Sequence, residues 1–233
     1  MIYVMSDIHG EYEKYMNMLS KIHFSDSDTL YVLGDVADRG PNPMKVLNDM
    51  SMRANVFPLI GNHDIMAYNL LNRLSTEITS ENYDNYLDKD MMISFLEWQR
   101  DGGQSTLDDF KKLSAEDREY ILEYLEEFSL YQTITVNEKN FILVHAGLGN
   151  FEKDKAMDDY SLEELAFTKL DFKRNYFDDD SIYIVTGHTP TFSLCGKPDI
   201  YHHQNNICID CGACFKGGRL ACLCLDTFEE FYV

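Results

Sequence analysis

Three short apolar runs near the start of the chain, residues 2–5, 30–33 and 56–60, each lead into a loop of Gly, Asp, His or Asn, and the stretches between them have helical periodicity. Runs of this length read as buried strands. Tyr12, Tyr15, Met16, Leu19 and Ile22 fall on one face of a helix over 11–22. Asn42 is placed to cap the next helix, with Pro43 at its first position and Val46, Leu47 and Met50 as its apolar stripe. Pro58 marks the third run as an edge or bulged strand, because proline has no N–H for a ladder. Strands alternating with helices predict a largely parallel sheet, with ligand loops at the carboxyl ends of its strands.

The remainder changes character twice. Residues 65–130 read as amphipathic helices. Asp101-Gly102-Gly103-Gln104 divides them, and Ser114-x-x-Asp117 caps a last helix whose inner face is Ile121, Tyr124, Leu125 and Phe128. Strand signals return at 133–136, 141–144, 182–185, 207–209 and 220–225, some so close together that part of this half is antiparallel. The expected fold is mixed α/β and layered. Residues 1–233 form one domain with a helical insertion at about 65–130, and 5 prolines and 13 glycines leave no Pro- or Gly-rich linker.

Charge removes several function classes. With 20 Lys+Arg against 40 Asp+Glu the net charge is −20, unsuited to long nucleic acids or anionic membrane surfaces. Met1 to Asp7 has no basic region followed by an apolar core, so a cytoplasmic location with reduced thiols is expected. Cys208-x-x-Cys211-x-x-Cys214 has the spacing of metal ligands, but Cys208, Cys222 and Cys224 lie in strand-like runs and read first as buried thiols.

Five polar clusters follow predicted strands: Asp7-Ile8-His9-Gly10, Gly34 to Gly40, Gly61-Asn62-His63-Asp64, His145-Ala146-Gly147 and Gly187-His188-Thr189-Pro190. Loops at strand carboxyl ends converge, so clusters far apart in sequence can build one site. Carboxylate, imidazole and amide oxygen suit two divalent ions, manganese first, with iron, zinc, nickel or cobalt as alternatives. Asp35 is the natural bridging ligand, Asp7 and His9 complete one metal, and Asn62, His145 and His188 complete the other. Two ions about 3.5–4 Å apart bind a phosphoryl group and supply hydroxide near neutral pH. Arg39 is placed to fork onto phosphate oxygens, His63 to protonate the leaving group as general acid, and Asp38 to orient His63.

These clusters, in this order, resemble the phosphoprotein-phosphatase branch of the calcineurin-like metallophosphoesterases, a branch that includes bacterial protein phosphatases and symmetrical dinucleoside tetraphosphatases. The resemblance covers about residues 1–64 and 140–226, and Gly34-Asp35-Val36-Ala37-Asp38-Arg39-Gly40 is its most specific element. It implies a four-layer αββα sandwich with a dinuclear site between the sheets, and the ligand and acid roles given above. It also implies a second phosphate-binding arginine, for which Arg174 aligns best and Lys169 competes, and a substrate-side loop at about 99–106. Ser6 stands where the family usually has glycine, and Gly61-Asn62-His63-Asp64 leans toward the bacterial members.

The function expected first is a serine/threonine protein phosphatase acting on phosphomonoesters. A dinucleoside polyphosphate hydrolase with the same core is the alternative. A phosphate-binding regulatory pseudoenzyme is disfavoured, because all six ligands and His63 are present.

Overall fold

The computed structural model describes residues 1–76 and 89–233. Two five-stranded sheets carry the fold. In the first, β1 (Ile2–Met5), β2 (Thr29–Leu33) and β3 (Val56–Leu59) run parallel, and β9 (Ala221–Cys224) and β10 (Glu230–Tyr232) extend it antiparallel on the β1 side. In the second, β5 (Lys139–Val144), β6 (Ile182–Thr186) and β8 (Asn206–Cys208) run parallel, flanked antiparallel by β4 (Tyr131–Val136) and β7 (Tyr201–His203). Pro58 lies on β3 at a sheet edge, as expected. The three-residue strands β7 and β10 have no counterpart in the sequence reading; so short an edge strand takes its conformation from its neighbour rather than from its own pattern.

Alternation along the strands sorts side chains into three cores. Val4, Leu33, Phe141, Leu143, Val185, Ile207 and Leu223 fill the space between the sheets. Their neighbours Tyr3, Met5, Val32, Cys222 and Cys224 point outward from the first sheet, where α1 (Tyr12–Lys21) and α2 (Pro43–Ser51) cover them. Ile142, Val144, Ile184 and Cys208 point outward from the second, onto Leu165 of α7 (Leu162–Ala166) and onto Phe172 and Tyr176. This period of two produces helix, sheet, sheet and helix layers in turn. The buried thiols divide among these cores: Cys222 and Cys224 in the first, Cys211 between the sheets, Cys208 in the third.

The expected insertion is helical where described: α3 (Asn62–Ser75), α4 (Lys89–Trp98), α5 (Gln104–Phe110) and α6 (Ala115–Glu126). The part of that expectation at 77–88 lies outside the described residues. Leu70, Trp98, Phe110 and Ile121 pack into the first sheet's outer core, so the insertion shares that core. Ser114 caps α6 by accepting from Asp117 N, as its spacing predicts. Asn42 corrects the expectation for α2: its side chain makes no capping bond, and Asp109 of α5 accepts from Met44 N at 3.2 Å instead. Among the described residues no helix is long and apolar enough to cross a membrane.

Candidate metal centre

Every polar cluster singled out above stands at the carboxyl end of a parallel strand: Asp7 after β1, Asp35 after β2, Asn62 after β3, His145 after β5 and His188 after β6. The loops are tightly wound. Asp7, His9, Asp35, Asp38, Arg39 and His188 all have positive φ, between 46° and 70°. Left-handed backbone costs a non-glycine residue roughly 1–2 kcal/mol, so six such residues in one site are held there by their surroundings. Part of the restraint is a mutual backbone lattice: Asp7 N donates to Gly34 O (3.0 Å), His9 N to Asp35 O (2.9 Å) and Gly40 N to His9 O (2.9 Å).

Asp64 adds to that restraint at Asp35. Its carboxylate, in the first turn of α3, accepts from the amides of Asp35 (2.7 Å), Val36 (2.9 Å), Ala37 (3.0 Å) and Gly61 (3.0 Å). One buried side chain thus fastens the Asp35 loop to the Asn62 loop. Glycine is required at 61, because a Cβ there would lie 2.2 Å from Asp35 Oδ1.

The donor atoms form two groups around one carboxylate. Asp35 Oδ2 lies 3.7 Å from His9 Nε2, which is 4.0 Å from Asp7 Oδ1. Asp35 Oδ1 lies 3.3 Å from His145 Nε2. His145 Nε2, Asn62 Oδ1 and His188 Nδ1 are in turn 2.8 to 3.2 Å from one another. His9 Nδ1 donates to Ala37 O (2.8 Å) and His145 Nδ1 to Leu33 O (2.6 Å), which turns both Nε2 atoms toward the carboxylate. Backbone acceptors behind ligating histidines are the usual means of fixing their tautomer. Asp7 is held from behind as well: Ser6 Oγ donates to its carboxylate, and His188 N donates to Oδ2 at 3.0 Å. The serine in the usual glycine place therefore has a role.

The proton affinities point the same way. Burial and the Asp35 charge push Asp7 up to about 7. Burial opposes a proton on His145, but Asp35 and Asp7 outweigh it and raise the imidazole to about 10. Asp35 stays well below the usual carboxylate range despite its burial, held down by His145. Burial lowers His9 to about 3, and burial with His145 nearby lowers His188 to about 4, so both present neutral imidazoles. A buried cluster that draws protons onto Asp7 and His145 is one where divalent cations would replace those protons. The donors fit two such ions that share Asp35.

His63 stands beside this group. Its Nδ1 donates to Asp38 Oδ2 (2.8 Å), and its Nε2 lies 2.7 Å from a terminal nitrogen of Arg39 and 3.5 Å from the Asp101 carboxylate. Burial and Arg39 oppose a proton on His63, yet Asp35 and Asp38 raise its affinity above the ordinary value. The other arm of Arg39 reaches His9 Nε2 at 2.7 Å. Arg39 is braced from the insertion, where Gly102 (φ 112°) turns its carbonyl to accept from Arg39 N at 3.0 Å. The segment expected at about 99–106 does lie against the site.

Trp98, just before this segment, and Thr106, at its end, hold roles that the sequence reading missed. Trp98 Nε1 donates to Asp38 Oδ2 (2.8 Å), and Thr106 Oγ1 donates to Oδ1 (2.6 Å) while accepting from Asp38 N (2.8 Å). Trp98, Thr106 and Asp38 are all fully buried. Trp98→Phe and Thr106→Val each remove one charge-assisted hydrogen bond, on the order of 1.5–3 kcal/mol, and Thr106→Val also takes the acceptor from Asp38 N. Each is expected to lower kcat about tenfold with bound metal and KM nearly unchanged, which steady-state kinetics with metal analysis would check. Loss of metal in these variants would show that the two residues hold the donor cluster rather than the Asp38 carboxylate behind His63.

Arg174 is placed elsewhere. Its guanidinium stacks on the rings of Phe151 (4.8 Å) and Tyr176 (5.2 Å), and no described contact joins it to the donor cluster around Asp35. Of the two candidates, Lys169 is the one whose charge helps to lower the proton affinity of His188.

The chain belongs to the calcineurin-like phosphoesterases: the model of that family matches residues 1–214. A curated relative from Acidovorax ebreus (strain TPSY), a symmetrical bis(5'-nucleosyl)-tetraphosphatase, is 30% identical over 149 residues, 63% of this chain and 44% of the relative. The chain aligns with less than half the length of the curated relatives it matches. Among solved structures, one provisionally described as a diadenosine tetraphosphatase superposes with a TM-score of 0.66 at 18% identity, over 100% of this chain and 92% of that one. A serine/threonine phosphatase from Saccharomyces cerevisiae, with similarity to human phosphatase PP5, gives 0.61 at 15% identity, over 95% and 71%. At these identities both are likenesses of fold.

Proposed function

We propose that this chain hydrolyses phosphoric esters or anhydrides with two divalent ions, and that its substrate is a dinucleoside polyphosphate. The observation that carries the chemistry is the Asp35 carboxylate, with one oxygen toward His145 and the other toward His9. Asp7 and His9 would hold one ion, Asn62, His145 and His188 the other, with Asp35 between them. Two ions so placed supply Lewis acidity and a nucleophile at neutral pH. With His9 Nε2 turned to a cation and His63 protonated at Nε2, neither histidine accepts from Arg39, and both arms of its guanidinium are free for phosphate oxygens. His63 stands next to that fork, with Asp38 behind it, and delivers a proton to the departing oxygen.

The substrate reading follows sequence likeness. The curated relatives that share 29–30% identity are named symmetrical tetraphosphatases, whereas the yeast protein phosphatase shares 15% and supports only the fold. A phosphoserine or phosphothreonine protein, expected first from the sequence, becomes the second reading. Chelation is expected to abolish hydrolysis and Mn²⁺ to restore it. The reconstituted protein is expected to turn over diadenosine tetraphosphate with a higher kcat/KM than a phosphopeptide panel. The reverse ranking would favour the protein-phosphatase reading, and hydrolysis unaffected by chelators would end the two-metal one.

A further inference from the structure

Beside Arg39 lies an aromatic surface that the hydrolytic chemistry does not use. The guanidinium carbon sits 5.5 Å from the centre of the Phe215 ring. Phe192 meets Phe215 edge to face, with centroids 5.8 Å apart, and both phenylalanines remain 41% exposed. The two come from different segments, Phe192 from the short helix after the His188 loop and Phe215 from the loop after β8. Buried Asp210 ties those segments together: its carbonyl accepts from Thr191 N (2.8 Å) and its carboxylate from Gly212 N (2.9 Å). The ring pair is therefore positioned by the fold. Cations gather around it: Lys14 Nζ donates to the Ala213 carbonyl, Lys216 follows Phe215 and is exposed, and Arg39 faces the ring. In a chain with twice as many acids as bases, Asp101, 3.6 Å from Arg39, offsets one of these three cations, and the other two favour anions.

We propose that Phe215 and Phe192 form a shelf that stacks the nucleobase of a nucleoside polyphosphate whose phosphates are held by Arg39. This inference rests on the phosphoesterase reading above and gives it a determinant of substrate class. A base has a flat uncharged face that stacks on phenylalanine whatever its edge chemistry. The guanidinium carbon stands 5.5 Å from the ring centre, which sets the aromatic part of the ligand apart from the phosphate that Arg39 holds, so the two are joined through a spacer, as ribose joins them in a nucleotide.

The test compares AMP with ribose 5-phosphate, which has the same phosphate and sugar but no base, by calorimetric titration of the manganese-loaded protein. AMP is expected to bind about tenfold more tightly, as one stacked base provides. Phe215→Ala is expected to erase that advantage while leaving ribose 5-phosphate unchanged, and Phe215→Trp to keep or enlarge it. Phe192→Ala is expected to reduce it in part. Equal binding of the two ligands to the native protein, or an equal loss of both in Phe215→Ala, would overturn the shelf. Hydrolysis of diadenosine tetraphosphate, followed in the same preparations, reports separately on the phosphoesterase reading: binding selectivity without turnover would retain the shelf and reject that reading.

Discussion

Asp35→Asn is expected to lose both ions and all measurable hydrolysis while remaining folded. The native side chain has no spare oxygen: Oδ1 lies 3.3 Å from His145 Nε2 and accepts from His63 N at 3.0 Å, and Oδ2 lies 3.7 Å from His9 Nε2. Asparagine keeps the shape, and its one carbonyl oxygen can still satisfy the His63 amide. Its NH₂ group then presents hydrogens where the second cation needs a lone pair, and the negative charge that the ions share is gone. Losing an outer partner of a metal ligand typically costs 10–100-fold in affinity. Loss of a ligand shared by two ions is expected to exceed about a hundredfold for the pair. Elemental analysis after desalting should find well under two ions per chain, and far-UV circular dichroism should match the native spectrum. A variant that keeps two ions and native turnover would remove the dinuclear reading altogether.

Why the sequence revealed so much of this centre, and so little of what surrounds it, has a physical basis. Asp7, His9, Asp35, Asn62, His145 and His188 each follow a strand within a few residues, and parallel strands bring their carboxyl ends together. Position along the chain therefore predicts position in space. Trp98 and Thr106 obey no such rule. They reach Asp38 across 60 and 68 residues of sequence through packing of the insertion on the first sheet, and a tryptophan at helical spacing reads as core. It is core, and its one polar atom is also spent on the site. Asp64 was visible as part of a motif, but four amides converging on one carboxylate become apparent only once the Asp35 and Gly61 loops are in place. Arg174 was aligned by order along the chain, and order does not fix the direction of a long side chain. Two aromatic rings nearby offered its guanidinium a stacking site, and it took that one.

His63→Asn is expected to keep both ions yet lower kcat by about 10²–10⁴ for substrates whose leaving oxygen needs a proton. The imidazole is not a ligand in the proposed centre. Its Nδ1 is bound to Asp38 at 2.8 Å, and its Nε2 faces Arg39 and Asp101 on the open side of the cluster. Asparagine can still donate to Asp38 through its amide nitrogen, so the hydrogen-bonded platform of Asp38, Trp98 and Thr106 survives the change. What disappears is a group able to release a proton as the ester bond breaks. The defect should therefore scale with leaving-group basicity, large for an alkyl phosphate and small for p-nitrophenyl phosphate, whose phenolate departs unaided. A Brønsted series of aryl and alkyl phosphates on the native protein and the variant measures this, with metal content determined alongside. A uniform loss across the series would mean that His63 serves binding or ion placement instead of proton transfer.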